Sequence, residues 1–344
     1  MYPGECLLSK TRPFSKGIIH IDPTQEVERI VSLLKQSVRK EMRRYGGVVG
    51  ISGGVDSSVV FALCVRAFGP EHVAAIIMPE KESDPESEKL ALHVANHYGV
   101  EPIVEDITPA VEGFDCYGRR DEAIKRMLPE YNANVGHTAK IVLPGDLLES
   151  EILNVFMLTV VDPQGGQTSH RIPVTELRQI VAASNFKQRT RMAILYYHAE
   201  LNHYAVIGTA NKDEHDLGFF VKHGDGGVDV QPIAHLYKTQ VYLLAEELGI
   251  PEVIRERVPS TDTYSAGGTQ QEFFFRVPFD VLDLIWQGHE ANVPHVEIAE
   301  ALNLSVDQVT RVVDDIIRKQ KTTAYLRMPV KKMGGEMSSG ESEQ

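Results

Sequence analysis

Short apolar runs alternate with amphipathic stretches through the first third of the chain. Apolar residues recur at helical spacing between Thr24 and Tyr45, and the apolar pair that follows, Val48 and Val49, is typical of a buried strand. A second apolar run at 73–78, a helical pattern at 86–98 and a third apolar run at 100–104 come next. Strands that alternate with helices predict an α/β fold, with a doubly wound, mainly parallel sheet and helices on both faces.

A later strand extends this pattern. Residues 205–209 form an apolar run after a predicted helix at 185–201. Because ligands of such sheets lie at the carboxyl ends of the strands, we expect Ser52, Met78 and Thr209 around one crevice.

The remaining parts of the chain are less regular. Two β-like stretches, 137–143 and 152–161, and a turn at 163–166 predict a β-containing insertion within 106–184. We therefore expect a main domain at 22–330, with C-terminal helices at 276–322. An extension at 1–21 precedes it, and a polar tail at 331–344, rich in Gly, Ser and Glu, is expected to be disordered.

Residues 50–58 read Gly-Ile-Ser-Gly-Gly-Val-Asp-Ser-Ser between a predicted strand and a helix. Glycines let the backbone approach an anion, and the amides of the first helical turn point at it. An aspartate beside a phosphate, here Asp56, predicts a bridging metal ion. The Walker lysine and the GxGxxG spacing are absent. The run resembles the Ser-Gly-Gly-x-Asp-Ser loop of the ATP pyrophosphatases; the alternative is a glycine turn that only joins strand to helix.

Further blocks make the resemblance more specific. They lie at 185–192, 208–214, 222–229, 236–241, 248–251 and 259–260. Together with the phosphate loop, they resemble the NAD synthetase family over roughly 22–105 and 185–322. The resemblance implies a Rossmann-like fold of the adenine nucleotide alpha hydrolase type. It also implies an ATP-dependent ligase that adenylates the carboxylate of deamido-NAD, releases pyrophosphate and aminates the adenylate with ammonia.

The same resemblance implies four sets of site residues. Asp56 and Lys238 are expected to be catalytic, because magnesium and a lysine would stabilise the departing pyrophosphate. Residues expected to bind ATP are Gly50, Ser52, Gly53, Gly54, Val55, Asp56, Ser57, Met78, Thr209, Lys238 and Ser260. Those expected to bind the acyl substrate are Arg189, Lys222, Asp229 and Lys321, and those expected to hold Mg²⁺ are Asp56, Glu214 and Asp225.

Three departures from the family pattern fall on the acyl-substrate side. The terminal His-Lys-Arg motif reads Gln-Lys-Thr at 320–322, and an aromatic triplet stands at 273–275 in place of small and aliphatic residues. The stretch before Arg189 is also longer than is usual in the family. These differences keep a second function open, namely an NAD synthetase-like amide ligase that acts on a different carboxylate.

Composition excludes several other classes. The 344 residues suffice for one large core, and a formal charge of -13 argues against general nucleic-acid binding. A two-helix pattern at 294–321 keeps a helix-turn-helix protein as a minor alternative, although its second helix is not strongly basic. A tRNA-modifying ATP pyrophosphatase would share the phosphate loop, but the acidic balance, the block at 208–214 and the lack of CxxC oppose it.

The expected surroundings follow from composition and from the resemblance. Three separated cysteines, Cys6, Cys64 and Cys116, predict a reducing compartment, and no apolar run is long enough for a membrane span. We therefore expect a soluble, cytoplasmic protein with no membrane partner. The sequence shows no convincing glutaminase, so ammonia is expected to be free or supplied by a separate glutaminase. The resemblance implies a homodimer.

Overall fold

The computed structural model describes residues 14–149, 155–261 and 264–333. The strands are β1 (Gly47–Gly50), β2 (Val73–Ile77), β3 (Ile103–Val104), β4 (Thr138–Val142), β5 (Met157–Val161), β6 (Gln167–Arg171), β7 (Ala205–Ile207), β8 (Ser260–Thr261) and β9 (Gly268–Thr269). The helices are α1 (Pro23–Leu34), α2 (Val55–Phe68), α3 (Pro85–His97), α4 (Thr108–Gly113), α5 (Cys116–Met127), α6 (Val174–Asn202), α7 (Lys212–Leu217), α8 (Lys238–Glu247), α9 (Glu252–Arg255), α10 (Phe279–Glu290), α11 (His295–Leu302), α12 (Val306–Thr322) and α13 (Ala324–Arg327).

A parallel sheet of order β3-β2-β1-β7 lies at the centre of the fold. Successive residues of a strand point to opposite faces. Val49 and Ala75 accordingly pack among residues of α1, α2, α3 and α8. Val48 and Ile76 pack against α6 instead. Helices thus cover both faces, which confirms the predicted doubly wound sheet, and the carboxyl ends of β1, β2 and β7 share one edge.

Two boundaries differ from the sequence-based prediction. The strand expected at 100–104 contains only Ile103 and Val104, because the amide of Val100 donates to the carbonyl of Ala95 and closes α3. The helix expected at 185–201 begins earlier, at Val174. Over its whole length the apolar residues of this helix do not keep to one face, so its amphipathic pattern is weak.

The strands β4, β5 and β6 form a separate antiparallel sheet. The predicted turn at 163–166 joins β5 to β6, and Gly165 has a φ of +87°. Two helices, α4 and α5, also lie within 106–184, where only strands are predicted above. The highly charged α5 buries few apolar side chains, such as Ala123 and Ile124, so helical periodicity is hard to detect there. Residues 1–13 and 334–344 lie outside the described residues, so most of the predicted extension and tail stay predictions.

The C-terminal helices build a second apolar cluster beside the sheet. Val309, Val312 and Ile316 of α12 pack with Trp286 of α10. Asp315 pairs with both Arg318 and Lys319 of the same helix. The apolar face of α12 therefore packs inside the domain, and two of its basic side chains are paired with Asp315. A helix that reads DNA would instead present a free, basic face. In the described part of the chain, no helix combines the length and apolar character that crossing a bilayer would require.

Candidate active site

The phosphate loop connects β1 to α2 at the carboxyl edge of the sheet. Gly53 has a φ of +73°, and a Cβ atom there would lie 2.6 Å from the carbonyl oxygen of Ser87 and 2.7 Å from the Cβ of Leu90. Only glycine fits this approach to α3. The loop therefore turns tightly enough for the amino end of α2 to face the crevice, which is the arrangement that binds phosphate.

Hydroxyl groups brace the loop from within. Ser57 Oγ donates to the carbonyl of Gly54 at 3.0 Å and lies 3.2 Å from the amide nitrogen of Ser52. Ser58 Oγ donates to the same carbonyl at 2.8 Å. Both hydroxyls are thus used in shaping the loop. Ser52 is exposed, and its Oγ accepts from the amide of Gly54 at 3.4 Å and lies 3.2 Å from Ser57 Oγ.

Asp56 and Lys238 meet at the bottom of the crevice. Asp56 accepts a hydrogen bond from Asn211 Nδ2 at 3.0 Å, and its other oxygen pairs with Lys238 Nζ. The Lys238 side chain is 1% exposed and that of Asp56 14%. Burial alone would lower the pKa of Lys238, but the carboxylates of Asp56 and Glu214 raise it above its usual value. Lys238 therefore stays charged and directed at the phosphate loop.

Glu214 stands beside this pair. At the start of α7, Asn211 and Glu214 form a capping box: the Glu214 amide donates to Asn211 Oδ1 at 3.0 Å. Gln270 Nε2 donates to Glu214 Oε1 at 3.1 Å. Burial and the nearby charge of Asp56 raise the pKa of Glu214 to about 8, and burial raises the pKa of Asp225 to about 6. Carboxyl groups are therefore concentrated, and poorly solvated, at one side of the crevice, where they resist ionisation.

The carboxylates fit a magnesium ion. Among the described residues, no three His, Cys, Asp or Glu side chains are grouped closely enough to hold a metal by themselves. Mg²⁺ commonly takes one or two carboxylates and completes its shell with water and substrate phosphates. A cation between Asp56 and Glu214 would offset the repulsion that raises the pKa of Glu214. The donor set thus fits an ion that binds together with a nucleotide.

One crevice of about 980 Å³ collects most of the predicted site residues. Its lining includes Gly50, Ser52, Gly54, Val55, Asp56, Ser57, Met78, Arg189, Thr209, Glu214, Lys222, Asp225, Lys238 and Ser260. Gly53 is buried beneath α3 and contributes through the shape of the loop. Asp229 and Lys321 are not among the lining residues.

Two predicted substrate residues make contacts within the protein. Lys222 Nζ donates to the carbonyls of Tyr325 and Met328, each at 2.9 Å. Asp229 accepts from Tyr196 Oη at 2.9 Å and from the amide of Val206 at 2.8 Å. Asp229 lines an adjoining hollow that also includes Lys222.

Lys321 lies on the exposed side of α12, away from the lining of the crevice. The structure therefore does not bring it together with the other predicted substrate residues. The nearby α13 lies closer to the site, because its Tyr325 and Leu326 line the crevice.

Sequence reasoning missed a buried ion cluster that fixes the loop after β2. Lys187 Nζ lies 2.8 Å from Glu80 Oε1 and 2.8 Å from Glu82 Oε2. Arg120 lies 2.6 Å from Glu82, and Tyr117 Oη donates to Glu80 at 2.5 Å. These residues come from the loop, α5 and α6, which are far apart in the chain, so no local spacing could have revealed them. The cluster holds a segment that lines the crevice.

A second missed pair supports the amino end of α8. The amide of Lys238 donates to Asp213 Oδ2 at 2.9 Å, and the amide of Thr239 donates to Asp283 Oδ2 at 2.8 Å. Both aspartates are fully buried. Burial and the charge of Asp283 raise the pKa of Asp213, and burial raises the pKa of Asp283 to about 6. The two carboxyl groups anchor the backbone that carries Lys238.

Asp283→Asn is expected to gain stability relative to the wild type as the pH rises. The folded state holds the proton of Asp283 up to about pH 6, whereas the unfolded chain loses it near about pH 4. Ionisation of Asp283 therefore lowers the free energy of unfolding of the wild type by about 1–3 kcal/mol above both pKa values, and this destabilisation is absent below them. Urea unfolding at about pH 4, 5.5 and 7 measures the change, with the exposed Asp280→Asn of the same helix as control. A stability difference that is constant with pH would contradict this assignment.

Comparison with known proteins identifies the family. A family model described as NAD synthase matches residues 26–134 and 160–327. The NH(3)-dependent NAD(+) synthetase of Rhizobium meliloti (strain 1021) is 49% identical over 315 residues, which are 92% of this chain and 93% of the relative. The enzyme of the same name from Thermotoga maritima is 36% identical over 265 residues, or 77% of this chain and 87% of the relative.

Solved structures share the fold. The NH3-dependent NAD synthetase from Campylobacter jejuni aligns with a TM-score of 0.57 at 22% identity, over 91% of this chain and 100% of that one. The NMN synthetase from Francisella tularensis aligns with a TM-score of 0.57 at 22% identity, over 92% and 100%. The full-length relatives and the family match together show that the chain belongs to the NAD synthase family.

Proposed function

We propose that this protein is an ATP-dependent ligase that adenylates the carboxylate of deamido-NAD and then aminates it with ammonia to give NAD. The observation that carries the proposal is the single crevice lined by the phosphate loop with its Asp56, by Lys238 and by Glu214. The name and near full-length match of the Rhizobium meliloti relative support the choice of reaction.

The chemistry needs positioning more than acid-base catalysis. The amino end of α2 binds phosphate oxygens of ATP, and the substrate carboxylate attacks the α-phosphorus. Lys238, held charged by its acidic neighbours, stabilises the negative charge that develops on pyrophosphate. Mg²⁺, held by Asp56 and Glu214, would supply further charge neutralisation at the phosphates. Ammonia then attacks the acyl carbon and AMP leaves.

A second candidate function is amidation of a different carboxylate. Lys222 and Asp229 make hydrogen bonds within the protein. Part of the polar surface expected to bind the dinucleotide is therefore already used by the protein itself. The fold neighbour from Francisella tularensis is named NMN synthetase. Nicotinate mononucleotide is therefore the alternative carboxylate to test.

Several properties of the proposed enzyme stay predictions. They are Mg²⁺ as the metal, Asp225 as one of its ligands, a homodimer, a separate glutaminase and a cytoplasmic location. The roles of Arg189, Lys222, Asp229 and Lys321 in substrate binding belong with them.

The experiment is a single-tube assay of NAD, AMP and pyrophosphate with ATP, Mg²⁺ and ammonium. With deamido-NAD we expect NAD, AMP and pyrophosphate in equal amounts, and no NAD without ammonium. AMP and pyrophosphate formed with nicotinate mononucleotide, and neither formed with deamido-NAD, would favour the second candidate. No AMP with either carboxylate would overturn the proposed function.

A further inference from the structure

The strand β4 lies in the part of the chain that the family match leaves out, residues 135–159. One of its edges pairs with β5. The other runs beside the segment 264–276, which contains the aromatic triplet and closes one side of the crevice. What this contact does for the reaction rests on the proposed function.

Hydrogen bonds fasten the start of the segment to β4. The amide of Ala139 donates to Ser265 Oγ at 3.0 Å, and the carbonyl of Ala139 accepts from the amide of Ala266 at 3.1 Å. Lys140 Nζ donates to the carbonyl of Gly267 at 3.1 Å and lies 3.3 Å from Glu272 Oε2. Lys140 thus joins the Gly-Gly pair at 267–268, where the backbone has most freedom, to Glu272 further along the segment.

The end of the segment is fastened as well. The amide of Leu143 donates to the carbonyl of Glu272 at 3.3 Å, and that of Leu147 to the carbonyl of Arg276 at 3.2 Å. Arg276 has a φ of +64°, and its Nε donates to the carbonyl of Gly145 at 3.1 Å. Contacts at both ends and the middle leave the segment little freedom to move away from the site.

The fastened segment presents an apolar wall to the reacting groups. Ile141 of β4 lines the crevice together with Phe156, Tyr264 and Phe273. Gln270 continues this wall to the phosphate side, where its Nε2 donates to Glu214. The wall therefore extends from the sheet β4-β5-β6 to the proposed metal ligands.

We infer that β4, through Lys140 as a positioning residue, holds the 264–276 segment as a wall that keeps water from the acyl adenylate. In the productive step, the nitrogen of ammonia bonds to the acyl carbon, the bond from that carbon to the oxygen of AMP breaks, and amide, AMP and a proton are released. Water that reached the same carbon would return the carboxylate with AMP and two protons, so ATP would be consumed without NAD. A closed apolar wall suppresses that side reaction.

The test is the ratio of AMP to NAD formed by Lys140→Met, which keeps much of the aliphatic stem and removes both polar contacts. We expect a ratio near about one for the wild type and at least about twofold higher for the variant. Lys140→Arg should restore the wild-type ratio, because it retains donors for Gly267 and Glu272. Lys125→Met, at an exposed lysine of α5, is the matched control and should behave as the wild type.

Thermal unfolding of each variant separates a loss of fold from a loss of positioning. Ser265→Ala is a second, smaller change, which removes the hydrogen bond between the segment and the amide of Ala139. A folded Lys140→Met and a folded Ser265→Ala that both keep the wild-type ratio would overturn the inference. A wild type that makes AMP but no NAD would instead count against the proposed function. The two failures are therefore distinguishable.

Discussion

Asp56→Asn is expected to lower the rate of AMP formation by at least about 100-fold. Asparagine keeps the shape of the side chain and its contact with Asn211 but loses the charge that pairs with Lys238. It would also be a weaker ligand for a hard cation that bridges to the nucleotide phosphates. Pyrophosphate release in a single turnover, with deamido-NAD present, measures the step directly.

The control for this variant is Asp307→Asn. Asp307 is the second residue of α12, as Asp56 is the second residue of α2, but it is exposed and far from the lining of the crevice. Because Lys238 is buried and would lose its closest counter-charge, we also expect Asp56→Asn to unfold at a lower temperature. Rates must therefore be compared below both melting temperatures. A normal single-turnover rate under those conditions would exclude Asp56 from the catalytic step.

Local pattern predicts the scaffold of the site well. The glycines and hydroxyls of the phosphate loop are contiguous, so their chemistry can be read without the fold, and the strand-end rule places Met78 and Thr209 in the same crevice. The family membership and the doubly wound sheet are confirmed. The run at 50–58 is predicted between a strand and a helix, but Asp56 already lies in the first turn of α2, and its side chain is 14% exposed.

Contacts between distant parts of the chain could not be predicted in this way. Asp283 supports the backbone beside Lys238 across 44 residues, and Lys187 reaches Glu80 across 107. Neither pair has a spacing that a helix or a strand would impose. The contact of Lys140 with the 264–276 segment is of the same kind. The sequence can therefore indicate which groups do the chemistry, but the residues that position them depend on tertiary packing.

Lys238→Ala is expected to lower the turnover number about 100–1,000-fold, with a much smaller change in the KM for ATP. The ammonium group is the buried cation that touches Asp56, and its charge matters most when pyrophosphate departs. A lysine that only bound ATP in the ground state would change KM instead. Steady-state assays over a range of ATP concentrations separate the two outcomes, and an unchanged turnover number would remove Lys238 from the mechanism.

The stability of the double variant Asp56→Asn with Lys238→Met shows whether the ion pair is needed for the fold or for the reaction. Each single change leaves one charge of the pair without its closest partner, which costs about 3–5 kcal/mol, whereas removal of both charges leaves neither member of the pair. The free energy of unfolding should therefore recover in the double variant, while the rate of AMP formation should not. Recovery of stability without activity would mean that the pair is maintained for catalysis, because the fold alone does not require it. If the free energy of unfolding did not recover, the two charges would not be compensating each other in the folded protein. The loss of activity in the single variants would then be a consequence of misfolding.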